Sequence, residues 1–123
     1  MRYMTGLAPR KDFLYAGRTL AEWVPVIVAR VAERFDPERV VLFGSLASGQ
    51  AGPDSDIDLL VIFREQTDRR STAVALRLAV ADVPAPIDFV VTDLGEIARR
   101  GRIVGLALEA ALRDGKVVYS RAS

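Results

Sequence analysis

The 123-residue sequence contains neither cysteine nor histidine. Without cysteine there are no disulfides, thiolate nucleophiles, iron–sulfur clusters or Cys-ligated zinc. Without histidine there is no Ser-His-Asp chemistry, no imidazole general base and none of the usual catalytic zinc sites. Catalysis, if present, has to run on Asp, Glu, Ser, Lys, Arg or Tyr, with a hard cation on carboxylates as the available metal chemistry. Long apolar runs are also missing. The longest, Trp23–Ala29 and Leu59–Phe63, fall far short of a bilayer. Met1–Arg18 carries basic residues but no continuous apolar stretch of the kind a signal peptide needs. The expected location is therefore the cytoplasm, with no membrane association. Charge of one sign is lacking too: 17 Lys+Arg face 16 Asp+Glu, a net charge of +1. That balance leaves no cationic excess for a dedicated nucleic-acid binder.

What is present is an ordinary globular composition, 50% hydrophobic and 27% charged, in a length that suits one domain. Residues 1–18 lack a clean period and read as an N-terminal arm; 19–123 read as a single domain. Ile27, Val28, Val31 and Phe35 recur at helical spacing. Two starts are compatible with that helix: a capping box at Thr19/Glu22, or Pro25 at a first helical position. Asp36-Pro37 ends it. Val40–Phe43 reads as a buried strand, and Leu46–Ala47 as a single helical turn in the loop that follows. Ile57–Phe63 reads as a central strand, because its apolar residues occupy both faces. A helix over Arg69–Ala81 leads to a third strand, Ile87–Val91. Asp93/Glu96 is a second candidate capping box, Val104–Leu112 a further helix stopped by Gly115 as a cap, and Val117–Tyr119 a last strand. The fold class is thus α+β, a small mixed sheet of about four strands with helices packed on it.

The chemistry concentrates in Phe43-Gly44-Ser45 and Asp54-Ser55-Asp56-Ile57-Asp58. Asp56 and Asp58 are two apart at a strand start, so both carboxylates project from one face, about 7 Å apart along the chain. Two such acids repel unless a cation sits between them. Mg²⁺ is the natural occupant, since it uses one or two carboxylates together with substrate phosphate oxygens. If the first two strands pair antiparallel, Gly44-Ser45 falls beside the acids. Backbone N–H groups and the Ser45 hydroxyl can there hold phosphate oxygens. Asp88 opens the third strand as Asp56 and Asp58 open the second. A helical crossover makes neighbouring strands parallel, so three carboxylates would meet at one edge of the sheet. Gly-Ser followed at this spacing by Asp-x-Asp arises by chance in roughly one chain of this length in 500.

Leu42-Phe43-Gly44-Ser45-Leu46-Ala47-Ser48-Gly49 and Pro53-Asp54-Ser55-Asp56-Ile57-Asp58-Leu59-Leu60-Val61 resemble the signature of the DNA polymerase β-type nucleotidyltransferase superfamily, in its minimal (MNT) branch. Ala107–Tyr119 is similar to the ending of that branch. The resemblance implies a nucleotidyltransferase fold and Mg²⁺-dependent transfer of AMP from ATP to a hydroxyl, with two ions. It implies Asp56, Asp58 and Asp88 as catalytic metal ligands, and Gly44 and Ser45 as nucleotide contacts. It also implies an antitoxin whose partner, in a hetero-oligomer, is a HEPN-domain toxin that it AMPylates on Tyr. The competing expectations are an antitoxin that neutralises by binding alone, and a nucleotidyltransferase for a small molecule. Ser48 stands where the family often has Arg; Arg64, Arg69 and Arg70 are the candidate substitutes. Tyr3 and Tyr119 read as packing residues, and Trp23 as a helix anchor amid apolar surface that faces a partner.

Overall fold

The computed structural model describes residues 14–52, 54–100, 111 and 113–122. α1, Leu20–Phe35, starts at the first of the two compatible positions. The Thr19 hydroxyl accepts from the Glu22 N–H at 3.2 Å, and the Glu22 carboxylate accepts from the Thr19 N–H at 2.8 Å. Pro25 is tolerated inside the helix. The carbonyl that its missing N–H deprives belongs to Ala21, and both residues are exposed, so water can satisfy it. Leu20, Val24, Ile27, Val28 and Val31 form the buried stripe. Asp36 closes the helix in a left-handed conformation (φ 48°), its N–H donating to the Ala32 carbonyl, before Pro37 prevents continuation.

Three elements then build the centre. β1 is Arg39–Phe43, α2 is the short helix Gly44–Ser48, and β2 is Ile57–Phe63. α3, Arg69–Ala79, is capped by the Asp68 carboxylate on the Ser71 N–H and ends two residues before Ala81. β3, Ile87–Asp93, runs two residues beyond the expected Val91; α4 is Leu94–Arg100 and β4 is Lys116–Ser120. The sheet order is β3-β2-β1-β4. β1 is antiparallel to β2 and to β4, while β2 and β3 are parallel, as the α3 crossover requires.

Both faces of the sheet are covered. Val40, Leu42, Ile57, Leu59, Val61 and Phe89 pack with α1 and with Leu76 of α3. Val41, Phe43, Leu60 and Ile62 form a second core with Ala111, with Ile97 of α4 against it. Trp23 is half-buried on its own core, donating its indole N–H to the Tyr15 carbonyl at 2.8 Å, with the Arg18 guanidinium 4.8 Å above the ring. It is thus anchored within the chain. Tyr119 is a packing residue as expected. Tyr3 and most of Val104–Leu112 lie outside the described residues.

Gly115 holds its place for a reason the sequence did not suggest. Its φ is not positive, so it is not a left-handed cap. A Cβ there would sit inside van der Waals contact with the Ala111 carbonyl oxygen and Val41 Cγ1, and 3.1 Å from the Leu42 carbonyl oxygen. Glycine lets the chain pass close enough to β1 for β4 to pair. Gly115→Ala should therefore cost about 1–3 kcal/mol, measured as a drop in the urea midpoint; an unchanged midpoint would mean that β4 docks without this close approach.

Candidate active site

The β1–β2 register sets Phe43 opposite Asp58, and the β2–β3 register sets Asp58 opposite Asp88. Gly44, Asp58 and Asp88 are thereby brought to one end of three adjacent strands. Alternation along β2 turns Ile57 into the α1-side core and leaves Asp58, like Leu60 and Ile62, on the opposite face. Asp56 lies one residue before the strand on the same alternation. Asp56 and Asp88 lie near enough for their charges to act on Asp58.

Asp58 is the innermost of the three. Burial, and then the charges of Asp88 and Asp56, push its carboxyl above the ordinary carboxylate value. Gly44 is what allows it to sit there. The Gly44 φ is +79°, and a Cβ at that position would overlap Asp58 Oδ2. Only glycine both tolerates this backbone conformation and leaves room for the carboxylate. Asp56 and Asp88 are exposed.

Ser45 lies in the first turn of α2, whose N-cap residue Phe43 supplies no side-chain hydrogen bond. The Ser45 hydroxyl donates to Ser55 Oγ at 2.9 Å, and Ser55 Oγ also accepts the Gly52 N–H at 2.7 Å. Ser55 thus ties the Gly-Ser turn to the loop that delivers Asp56. Sequence reasoning gave it no role, because a serine in a turn is ordinary turn chemistry. Ser48 folds back, its hydroxyl donating to the Ser45 carbonyl at 3.1 Å.

The expected substitute cations are elsewhere. Arg64 pairs with Glu38 at 2.9 Å, and Arg69 pairs with Glu96, both beyond the far end of β2. Glu96 also receives the Thr92 hydroxyl, and the Asp93 carboxylate accepts the Glu96 N–H, as the expected Asp93/Glu96 capping box requires of its first member. Arg70 has no acidic partner among the described residues. The cation that does reach the site is Arg77, 3.3 Å from Asp88 Oδ1. The signal for it was topological: a crossover helix returns its last turn to the start of the next parallel strand.

The sequence pattern of the nucleotidyltransferase domain family matches residues 24–113. The chain belongs to that family. Solved structures agree on the fold. One, assigned as a nucleotidyltransferase from Sulfolobus solfataricus, is 27% identical, with a TM-score of 0.55 over 83% of this chain and 81% of that chain. A toxin–antitoxin complex, MntA–HpeT with a Tyr-to-Ala substitution, matches at 21% identity and TM-score 0.56, over 79% and 72% of the two chains. A toxin–antitoxin with AMP-PNP matches at 24% and 0.51, over 76% and 70%. None of the curated proteins matches. In this nucleotidyltransferase domain no group of three or more acidic side chains among the described residues is gathered into a ready metal cage. The donor set nevertheless fits a divalent cation: hard oxygen ligands, mutually repelling, with the innermost held against a glycine cradle.

Two expectations follow. Asp58 takes up its proton at higher pH in the folded chain than in the unfolded one, so folded protein holds more protons between 3.8 and the raised value. Stability then falls as pH rises through that window, and the deficit persists at pH 7. Asp58→Asn should raise Tm at pH 7 without divalent cations, the gain vanishing below pH 3.8. Mg²⁺ should raise the melting point of the wild type and not of the variant; scanning calorimetry across pH reads both. Gly44→Ala should cost about 1–2 kcal/mol from the backbone alone, and by displacing Asp58 should also abolish any Mg²⁺-induced shift.

Proposed function

We propose that this nucleotidyltransferase transfers AMP from ATP to a hydroxyl, a tyrosine of a HEPN-type toxin being the expected acceptor, and so acts as an antitoxin. The observation that carries the reading is the row formed by Gly44, Asp58 and Asp88, with Asp58 held above its ordinary range by burial first and then by the charges of Asp88 and Asp56, which a cation would neutralise. The toxin–antitoxin relatives of like fold, one of them with AMP-PNP, support the partner class and the nucleotide.

Asp56 and Asp58 would hold a magnesium ion, with Asp88 contributing to a second. Magnesium bound there supplies charge neutralisation for the triphosphate and the departing pyrophosphate. Gly44 gives the phosphates close backbone approach, and the Ser45 hydroxyl, which donates to Ser55 here, would turn from it to donate to a phosphate oxygen. The acceptor oxygen attacks the α-phosphorus, an O–P bond forms, and the bond to pyrophosphate breaks. The hydroxyl proton goes to Asp88, the exposed carboxylate of the row. The absence of histidine is compatible with this chemistry, since a carboxylate does the proton transfer.

One feature favours neutralisation by binding alone. Ser48 brings no cation, and its hydroxyl is turned back on α2. Asp88→Asn separates the two readings. Transfer of labelled AMP to the protein encoded by the adjacent reading frame should fall about 10²–10⁴-fold, with ATP affinity and melting point close to wild type. Full labelling by the variant would remove Asp88 from the chemistry. No labelling by the wild type, with toxin neutralisation intact, would favour the binding-only antitoxin.

A further inference from the structure

We infer that the outward face of α3, with the cavity at its C-terminal end, is the docking surface for the acceptor, and that it takes an acidic, apolar segment of a protein. This rests on the transferase reading above. Leu76 of α3 is fully buried and fixes which side faces the core. At helical spacing Arg70, Val74, Arg77 and Leu78 fall within one arc opposite it. Val74 is 53% exposed and Leu78 71% exposed. Neither contributes to the core, and α3 has no acidic residue between Arg69 and Ala79.

Isolated exposed aliphatics need no explanation, but a second feature lies at the end of the same helix, joined to that face through Arg77. A shallow cavity of about 190 Å³ opens at the end of α3, lined by Arg77, Val80, Val83, Ala85, Ile87 and Phe89 among others. An apolar cavity of ~150 Å³ accepts a benzene ring, so this one has room for a single apolar side chain. Ile87 and Phe89, in its wall, flank Asp88 in β3 but face the α1 side, so the cavity lies round the strand edge from the Asp88 carboxylate, with Arg77 reaching from one to the other. Arg77 stands at both places, lining the cavity and contacting Asp88 with one of its N–H groups. Its remaining donors can hold a carboxylate of the incoming segment.

The sheet order explains why this side is the acceptor's. The Gly44–Ser45 turn serves the nucleotide from β1, while Asp88 lies on β3, the edge strand. A segment with an apolar anchor in the cavity and an acidic residue on Arg77 or Arg70 would arrive from the β3 edge. Its hydroxyl would then lie beside Asp88. A small-molecule acceptor has no use for the extended apolar and cationic face.

The test uses the full chain, Mg²⁺, labelled ATP and the protein encoded by the adjacent reading frame. Leu78→Glu and Arg70→Glu alter exposed side chains and should melt as the wild type does. Each should raise KM for the acceptor protein about tenfold or more, with ATP affinity and kcat at saturation little changed. A photo-crosslinking residue at position 78 should capture that protein, whereas one at position 117 on β4 should not. Unchanged acceptor KM in both variants, or capture at 117 and not at 78, overturns the surface and leaves the transferase reading standing. Labelling of a small-molecule hydroxyl in place of protein overturns the acceptor class. Absence of any transfer by the wild type, with ATP bound, overturns the transferase reading and the surface with it.

Discussion

A carboxylate packed against a glycine organises this molecule. The Asp58 side chain occupies the space that a Cβ on Gly44 would fill, and Gly44 is in the left-handed region that glycine alone adopts freely. The contact is possible only because β1 and β2 pair with Phe43 opposite Asp58. A one-residue slip would turn Asp58 into the α1-side core and Ile57 out of it. Register is held by apolar residues on both faces of β1 and β2, so the position of the acid is set by cores that do no chemistry. The site in turn weakens the fold locally, since three acids at one strand end repel. Such local cost at a functional position is the usual relation between stability and function.

The order β3-β2-β1-β4 gives the three acids different environments. β2 is internal, so Asp58 is flanked on both sides and partly desolvated. β3 is an edge strand, so Asp88 reaches solvent and meets Arg77 from the crossover helix. On the proposed reading, the inner carboxylate would be the better cation ligand once a cation compensates its burial, and the outer one the better group to meet an arriving hydroxyl. Strand order alone gives chemically identical side chains these different environments.

Much of this was legible in the sequence. The both-face apolar run Ile57–Phe63 marked a central strand, and the crossover between two strand starts marked a parallel pair. With Gly44-Ser45 and Asp-x-Asp these sufficed to bring Asp56, Asp58 and Asp88 together. What was not legible depended on contacts between segments distant in the chain. Thr19 won over Pro25 as the start of α1 because the box closes and the deprived carbonyl faces water. Gly115 ends the preceding helix as expected, its N–H on the Ala111 carbonyl, but without a left-handed turn, and its lack of a Cβ also serves the approach of β4 to β1. Arg64 and Arg69 looked like candidate cations because they follow β2 in sequence. Following β2 carries the chain to the opposite end of the sheet, where both are engaged. Proximity in sequence to the motif was the wrong measure; return along α3 was the right one.

The same geometry bears on the family's arginine, which Ser48 replaces here. A cation on α2 would stand on the nucleotide side of the acid row, next to Gly44 and Ser45. The Ser48 hydroxyl instead closes onto the Ser45 carbonyl and leaves α2 without a charge. Arg77 stands on the other side of the row, in contact with Asp88. It is therefore not an equivalent moved to a new position in the chain. On the proposed transferase reading, a guanidinium beside the triphosphate would act on the leaving group, whereas one beside Asp88 would hold the carboxylate that meets the acceptor and offer its remaining donors to whatever carries that hydroxyl. On that reading α2 would meet the nucleotide with backbone and hydroxyl alone, and the Arg77 guanidinium would face the acceptor.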